Sequence, residues 1–272
     1  MLPLPSSAEA TRNHLDRKTT VTVTASPRLG IEETVRTCEE LARDGFRAVP
    51  HLAARLVHDE AQLRAILVRL GASGLEEAFV IGGDGQPVGD YADALSLMHA
   101  MSSLAERGDA PVPSRLGVAA YPEGHPRVSD ADLWQALLAK QPLASYAVTQ
   151  MCFDPAAITA YVANARRTGV TLPFYAGIPG RLDRRRLLRI SRRIGVGDSA
   201  RFLRKHRHVL LRVVLPRAFG PDRLLRGLSR ALAEPDTDHG LTGLHLYTLG
   251  DVVATEAWRR DLAGRPSLGR SR

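Results

Sequence analysis

The stretch GVAAYPEGHP, Gly117 to Pro126, decides the fold of this chain. The residues at its start, Leu116 to Ala120, are apolar and small, which is typical of a short strand buried on both faces. They run directly into a tyrosine, a carboxylate and an imidazole. Parallel α/β folds bind ligands at the carboxyl ends of their strands, so the stretch predicts a functional site. Taken alone, it is equally typical of an ordinary polar loop after a strand.

The rest of the chain repeats the alternation of a short apolar strand with an amphipathic helix. The pattern predicts strands at 1–4, 19–25, 47–50, 77–81, 116–120, 146–150, 172–176 and 243–248. It predicts a first helix capped by Ser6 or Ser7, and further helices at 31–43, 60–70, 92–106, 130–139, 155–168, 184–194, 198–206, 221–232 and 252–262. Strict alternation implies a parallel sheet. Eight such units without a GxGxxG turn favour an α/β fold of the closed (β/α)8 TIM barrel type.

Length and composition fit one soluble domain. The 272 residues show no break in composition, so residues 1–263 are expected to form a single barrel domain and 264–272 a basic, disordered tail. The two cysteines have no CxxC partner, which excludes a disulfide framework and a thiolate zinc site and favours the cytoplasm. No apolar run approaches the roughly 20 residues of a membrane span, and no signal peptide is visible.

The net charge of +8 is carried mainly by arginine, much of it between Arg181 and Arg193. A phosphate or polyanion site is one interpretation. The spacing of Leu187, Ile190 and Ile194 instead favours a helix with an ordinary solvated basic face. The segment also lacks the interleaved aromatic residues of single-stranded nucleic-acid sites, so no nucleic-acid partner is expected.

Polar residues recur where the predicted strands end. They are Thr24, His51, Asp84, the cluster from Tyr121 to His125, Gln150, Gly177 and Tyr247. Each has a structural alternative: a buried histidine is often structural, an aspartate between glycines often makes a turn, and a glutamine often satisfies a loop carbonyl. In a barrel, however, all of them converge on one face. No His-x-His or HExxH spacing is present, so no metal is expected.

Several of these segments resemble motifs of the methylenetetrahydrofolate reductase family, in the family's order and over nearly the whole chain. AAYPEGHP is almost unchanged from the family's central motif. VTVTAS, VPHLAAR and GGDG followed by YADAL are similar to the segments that precede it in the family. VTQMCFD, GIPG and HLYTLG are similar to those that follow. Each match alone is weak, but their order and spacing together are highly specific.

The resemblance implies a TIM-barrel enzyme of one-carbon metabolism and methionine biosynthesis. Such a flavoprotein oxidoreductase reduces its bound FAD with NADH or NADPH and passes the hydride to 5,10-methylenetetrahydrofolate, giving 5-methyltetrahydrofolate. The small-molecule folate is then the expected partner, with no membrane partner. The sequence does not choose between NADH and NADPH, and it leaves open whether the chain forms a homo-oligomer.

The resemblance also assigns roles to residues at matching positions. Asp84 and Gln150 would face the pterin, Asp84 as the catalytic group, because a carboxylate and an amide match the paired N–H donors and the carbonyl of the pterin edge. Phe153 would contact the folate. The positions that match the family's cofactor-binding residues are Thr24, His51, Gly83, Asp84, Ala92, Tyr121, His125, Asp132 and Lys140.

The chain departs from the family at a few functional positions. Gly82 replaces an arginine, Ala25 replaces a tyrosine that faces the flavin, and Gly250 and Asp251 replace an asparagine and an arginine. The family's catalytic glutamate, on its first strand, would fall just before Met1, so the first strand is expected to be truncated here. These departures leave two alternatives to the flavoenzyme: a folate reductase barrel that works without flavin, and a catalytically dead folate-binding homologue.

Overall fold

The computed structural model describes residues 1–181, 221–232 and 240–264. They divide into two compact units. Unit 1 comprises Met1–Ala119 and Ala136–Val148, and unit 2 comprises Ala120–Gln135 together with the described residues from Thr149 onward. The predicted helices at 184–194 and 198–206 lie outside the described residues, as do the basic segment after Arg181 and the tail after Gly264. The assignment of residues 1–263 to one barrel domain stays a prediction.

Seven strands alternate with helices in the described part of the chain. The strands are β1 (Thr20–Val23), β2 (Arg47–Ala53), β3 (Glu77–Ile81), β4 (Arg115–Ala120), β5 (Tyr146–Thr149), β6 (Phe174–Pro179) and β7 (Leu241–Tyr247). Their order in the sheet is their order along the chain, and the pairs β1–β2, β2–β3, β3–β4 and β6–β7 are parallel. This confirms the parallel α/β class. The predicted eighth strand, at residues 1–4, is not among the strands of the described residues.

Helices connect these strands. They are α1 (Pro5–His14), α2 (Gly30–Arg43), α3 (Glu60–Ala72), α4 (Ala94–Glu106), α5 (Asp130–Lys140), α6 (Pro155–Arg167), α7 (Pro221–Leu232) and α8 (Val252–Ala263), with short 3-10 turns at Ala54–Leu56 and Gln141–Leu143. Within the described residues, no helix is both long and apolar enough to cross a bilayer.

The start of the chain differs from the expectation. The first helix begins at Pro5 after Leu4, so the predicted cap at Ser6 or Ser7 is wrong. Proline suits the first helical position, because its fixed φ is helical and no N–H is needed there. Met1 donates from its amino group to Thr22 O and accepts from Thr24 N (2.9 Å), which are two bonds of a parallel ladder beside β1.

Two strands run further than the sequence predicts. The second was expected to end at Pro50 but continues to Ala53, and the sixth was expected to end before the GIPG turn but continues to Pro179. The GIPG segment is therefore not a turn. Its residues pair with β7, Gly177 with His245 and Pro179 with Tyr247. Pairing with a neighbouring strand overrides the local tendency of glycine and proline to break a strand.

Each unit has an apolar core that supports the strand ends. In unit 1, fully buried side chains come from α2, β2, α3 and α4, among them Leu41, Leu52, Leu67 and Leu97. In unit 2, a buried cluster contains Cys152, Ile158, Ile178, Leu224, Leu228 and Trp258. Close-packed interiors of this kind hold backbone positions firmly, so the loops that follow the strands start from fixed points.

Four of the loops that follow strands end at an aspartate that caps the next helix. Asp59 accepts from Gln62 N (2.8 Å) before α3, and Asp93 accepts from Ser96 N (2.9 Å) before α4. Asp154 accepts from Ala156 N (3.0 Å) before α6, and Asp251 accepts from Ala254 N (3.0 Å) before α8. Each cap satisfies an N–H group that the first helical turn leaves without a partner, so these four loops are fixed at both ends.

Candidate active site

In unit 1, Thr24 lies directly after β1. Its backbone N–H and its hydroxyl both donate to Met1 O, at 2.9 and 3.1 Å, and its carbonyl accepts from the Thr34 hydroxyl at 3.3 Å. The side chain is half-buried. Thr24 is therefore held in place at the end of β1 by hydrogen bonds to Met1 and from Thr34.

His51 lies inside β2 rather than after it. Its side chain is 7% exposed, and its ring centroid is 4.7 Å from that of Phe79, the residue that pairs with it on β3. The expectation that the histidine stands just past the strand end is corrected by the longer strand. The ring belongs to the buried layer of unit 1, two residues below the end of β2.

The loop after β3 presents Asp84. This residue is exposed and stands between Gly83 and Gly85, which have φ of +86° and +85°. Such φ values favour glycine, because a side chain is strained there. A Cβ on Gly83 would also lie 3.1 Å from Ala53 Cβ. The loop thus passes close over the end of β2 and carries the exposed Asp84.

An arginine that the sequence did not single out holds this loop. Arg55, in the 3-10 turn after β2, donates from Nε to Ala92 O (2.8 Å) and from Nη1 to Gly83 O (3.4 Å) and Gly85 O (3.2 Å). Its backbone N–H also donates to Gly82 O at 3.0 Å. No local pattern marks such a residue, because its partners lie about 30 positions further along the chain.

Lys140, at the end of α5, is buried with 8% of its surface exposed. Burial lowers the pKa of its ammonium group, and the nearby carboxylate of Asp93 opposes that shift. Asp132, which the resemblance places with Lys140 at the cofactor, is exposed at the other end of the helix. Asp132 accepts from the Ser129 hydroxyl at 2.6 Å, and its N–H donates to Ser129 Oγ at 3.1 Å.

In unit 2, the loop after β4 carries Tyr121 and His125. Gly124 N donates to Tyr121 O at 3.0 Å, which closes a tight turn, and Gly124 has a φ of +73°. The two rings meet edge to face at 5.5 Å. His125 Nδ1 accepts from Arg127 N at 3.3 Å. That bond helps to fix the orientation of the imidazole.

Two side chains join the loops after β4 and β5, and each of them bonds to the backbone of the other loop. Glu123 is 9% exposed, and its Oε1 accepts from Phe153 N (3.1 Å) and Asp154 N (3.2 Å). With its amide oriented to satisfy both atoms, Gln150 donates to Gly124 O (2.9 Å) and accepts from Glu123 N (3.2 Å). We call these two side chains the Glu123–Gln150 clamp. The half-buried Phe153, a predicted folate contact, is held by its backbone in this clamp.

The ends of β5, β6 and β7 meet at Gly177. Its N–H donates to Thr149 Oγ1 at 2.8 Å, and the Tyr247 hydroxyl donates to Thr149 O at 3.0 Å. A Cβ on Gly177 would lie 2.1 Å from Thr149 O. The buried Cys152 donates from Sγ to Gln150 O at 3.2 Å, and burial raises the pKa of its thiol. Cys152 is therefore a protonated structural thiol rather than a nucleophile.

The described residues therefore divide into two groups. Those whose polar atoms build the loops include Arg55, Glu123, Gln150, Thr149 and Tyr247. Those that lie just after β1, β3 and β4 and are predicted cofactor or substrate contacts include Thr24, Asp84, Tyr121 and His125. No cluster of three or more metal-ligating side chains occurs among residues 1–181, 221–232 and 240–264. The functional groups at these positions are the carboxylate of Asp84, the hydroxyl of Thr24, the ring of Tyr121, the imidazole of His125 and the buried ammonium of Lys140.

Comparison with solved structures supports the fold. A GH18 chitinase from Pseudoalteromonas aurantia shares 12% sequence identity with this chain at a TM-score of 0.52, and the match covers 96% of this chain and 95% of the other. At that identity the likeness concerns the fold alone. A structure from Burkholderia cenocepacia J2315, described as a candidate phosphonomutase, shares 11% sequence identity with this chain at a TM-score of 0.41. The match covers 64% of this chain and 83% of the other, and this TM-score is too low to indicate a shared fold.

Comparison with protein families is more informative. The sequence model of the family described as methylenetetrahydrofolate reductase matches residues 11–258. That range takes in every strand from β1 to β7 and all of the residues assigned above to the two groups. The chain belongs to the methylenetetrahydrofolate reductase family.

Proposed function

We propose that this chain reduces 5,10-methylenetetrahydrofolate to 5-methyltetrahydrofolate with NADH or NADPH, through bound FAD. Family membership over residues 11–258 supports a folate one-carbon reductase at the family level. The observation that carries the finer proposal is Asp84: an exposed carboxylate, on a glycine loop at the end of β3, at the position where the family pattern has its own loop aspartate.

The residues present suit FAD. Its phosphates need a cation, and Lys140 is a buried ammonium group whose pKa burial lowers, so a nearby anion would favour its charged form. The flavin and adenine need polar groups and flat contact surfaces, for which Thr24, His51, Tyr121 and His125 are suited. Gly83 and Ala92 would contribute backbone atoms. When bound, FAD would accept a hydride from the nicotinamide and deliver it to the folate.

Asp84 would act on the folate rather than on the flavin. Methylenetetrahydrofolate becomes reactive as a cationic iminium, and a fixed carboxylate near the reacting nitrogen stabilises that developing charge. The Gln150 amide already bonds to the backbone of Glu123 and Gly124, so it would contact the pterin while keeping these bonds. Phe153, with its backbone held by Glu123, would place its ring against the folate.

A direct experiment separates the two hydride steps. Purified protein should have a flavin spectrum, NADH or NADPH should bleach it under anaerobic conditions, and methylenetetrahydrofolate should restore it. Protein that is colourless and takes up no added FAD contradicts the flavin proposal. Protein whose flavin is bleached but never restored by the folate contradicts the proposed substrate.

A second candidate is direct hydride transfer from nicotinamide to folate without flavin. Two small residues favour it, Ala25 and Gly82, which stand where the family has a flavin-facing tyrosine and an arginine. Among residues 1–181, 221–232 and 240–264, a Cβ on Gly82 would meet only Asp93 Cα, at 3.9 Å. Folate-dependent oxidation of NADH or NADPH by protein free of FAD would establish this candidate. Folate binding without any turnover would identify a binding protein instead.

A further inference from the structure

The guanidinium of Arg55 contacts the backbone on both sides of Asp84. We infer that Arg55 is a positioning residue, which acts on the reaction by fixing the place of the Asp84 carboxylate. This inference rests on the proposed function, in which Asp84 stabilises charge on the folate. It assigns to Arg55 a role that neither the sequence motifs nor the family resemblance gives it.

The geometry of the contact is specific to arginine. Nη1 donates to the carbonyls of Gly83 (3.4 Å) and Gly85 (3.2 Å), the two residues that flank Asp84, while Nε donates to Ala92 O (2.8 Å) at the far end of the loop. One planar group therefore holds three carbonyls. The guanidinium has five donors in a fixed fork and remains charged at all working pH values. A lysine ammonium is a single point and would not hold all three carbonyls at once.

The loop needs such support. Asp84 lies between two glycines with positive φ, and residues 84–90 are all exposed. Glycine has more accessible backbone conformations than any other residue, so a loop built this way does not hold a side chain by itself. Two backbone bonds tie the loop to the segment that begins with the turn of Arg55: Val88 N donates to Arg55 O (3.1 Å) and Asp90 N to His58 O (2.9 Å).

Fixing Asp84 matters because its effect is electrostatic. A carboxylate stabilises a developing cation only if it is already in place when the charge appears. A displacement of about 1 Å can lower the rate by about 100-fold. In the proposed function the Asp84 charge acts on the folate, so loss of Arg55 should affect the folate step and spare the reduction of flavin by nicotinamide.

The test compares Arg55→Met and Arg55→Lys with a control, Arg64→Met. Arg64 is in unit 1 and also donates to a backbone carbonyl, from Nε to Asp109 O (3.1 Å), but away from the loop. For Arg55→Met we expect kcat/KM for the folate to fall about 10- to 100-fold, with flavin reduction nearly unchanged. Arg55→Lys should recover part of the loss. Amide hydrogen exchange should become faster over residues 82–92 in Arg55→Met and stay as in the unmodified protein in Arg64→Met.

A double-mutant cycle separates positioning from general loss of structure. If Arg55 acts through Asp84, Arg55→Met should cost little further folate activity once Asp84→Asn is present, because interacting residues are not additive. Additive losses would overturn the inference, and so would unchanged folate kinetics in Arg55→Met. Unchanged exchange over residues 82–92 would also overturn it. If the unmodified protein reduces no folate, the proposed function fails, and the exchange experiment still decides whether Arg55 holds the loop.

Discussion

Replacing Glu123 tests whether its carboxylate joins two loops. In the structure, Glu123 Oε1 accepts from two successive N–H groups, those of Phe153 and Asp154, while the Glu123 backbone N–H donates to Gln150. Glu123→Ala would leave both N–H groups without their acceptor. Glu123→Gln would keep an acceptor oxygen and remove the charge. The two variants therefore separate the loss of the bonds from the loss of the charge.

The size of the effect follows from the burial of the groups involved. A hydrogen bond to a charged group contributes about 1.5–3 kcal/mol, and a buried donor left without a partner costs about 1–3 kcal/mol. Phe153 and Asp154 are half-buried, so water replaces part of the lost acceptor. For Glu123→Ala we expect the free energy of unfolding to fall by about 2 kcal/mol, which lowers Tm by roughly 4–8 °C. For Glu123→Gln we expect about half of that free-energy loss.

Thermal unfolding followed by circular dichroism measures the stability loss, with Glu9→Ala as a control because Glu9 is exposed on α1. Amide hydrogen exchange locates the loss, which should appear as faster exchange at Phe153 and Asp154. If Glu123→Ala has the Tm of the unmodified protein and unchanged exchange at these two amides, the carboxylate does not hold the loop, and its role would have to be sought in the reaction.

Three further variants test other parts of the site. Asp84→Asn should reduce the rate of folate reduction by about 10- to 1,000-fold in stopped-flow experiments, with little change in flavin reduction; equal loss in both steps would place Asp84 at the flavin. Gly177→Ala should destabilise the protein by about 1–3 kcal/mol or more, because its Cβ would lie 2.1 Å from Thr149 O, whereas Gly264→Ala, with no contact closer than 3.6 Å, should not. Lys140→Met should flatten the pH dependence of stability. Because burial lowers the pKa of Lys140 from 10.5, the unfolded chain binds more protons between the folded pKa and 10.5, and the unmodified protein should gain stability as pH rises through that window. Denaturant unfolding at several pH values measures this, and an equal gain in Lys140→Met would contradict it.

The parallel α/β arrangement was predictable from the sequence because strand and helix periodicities alternate clearly. The errors in strand length occur where the local sequence indicates a strand end but the segment still pairs with a neighbouring strand. Pro50, with the following histidine, and the GIPG segment both indicated strand ends, yet β2 continues to Ala53 and β6 to Pro179. Strand length depends on what the neighbouring strand offers as partners, and a sequence window of a few residues does not contain that information.

For most of the candidate residues the sequence predicted a place at a strand end, but it did not predict the contacts that each side chain makes. Asp84 and Gln150 look equivalent in the sequence, as polar residues after buried strands. In the structure, Asp84 is exposed on a glycine loop, whereas both polar atoms of the Gln150 amide are bonded to the backbone of the loop after β4. Arg55 was missed because its partners are distant in sequence, and hydrogen bonds between loops leave no periodic signal.

One arrangement occurs in both units: a side chain just after one strand hydrogen-bonds to the loop that follows a neighbouring strand. In unit 1, Arg55 follows β2 and holds the backbone of the loop after β3. In unit 2, Glu123 follows β4 and holds the backbone of the loop after β5, while Gln150 holds the loop after β4 in return. In each case a charged or amide side chain just past one strand satisfies backbone groups past its neighbour. Arg55, Glu123 and Gln150 therefore use hydrogen bonds within the protein to hold loop backbone. The exposed Asp84 is carried by a loop that Arg55 holds, and a supported position of this kind suits the role on the folate proposed above.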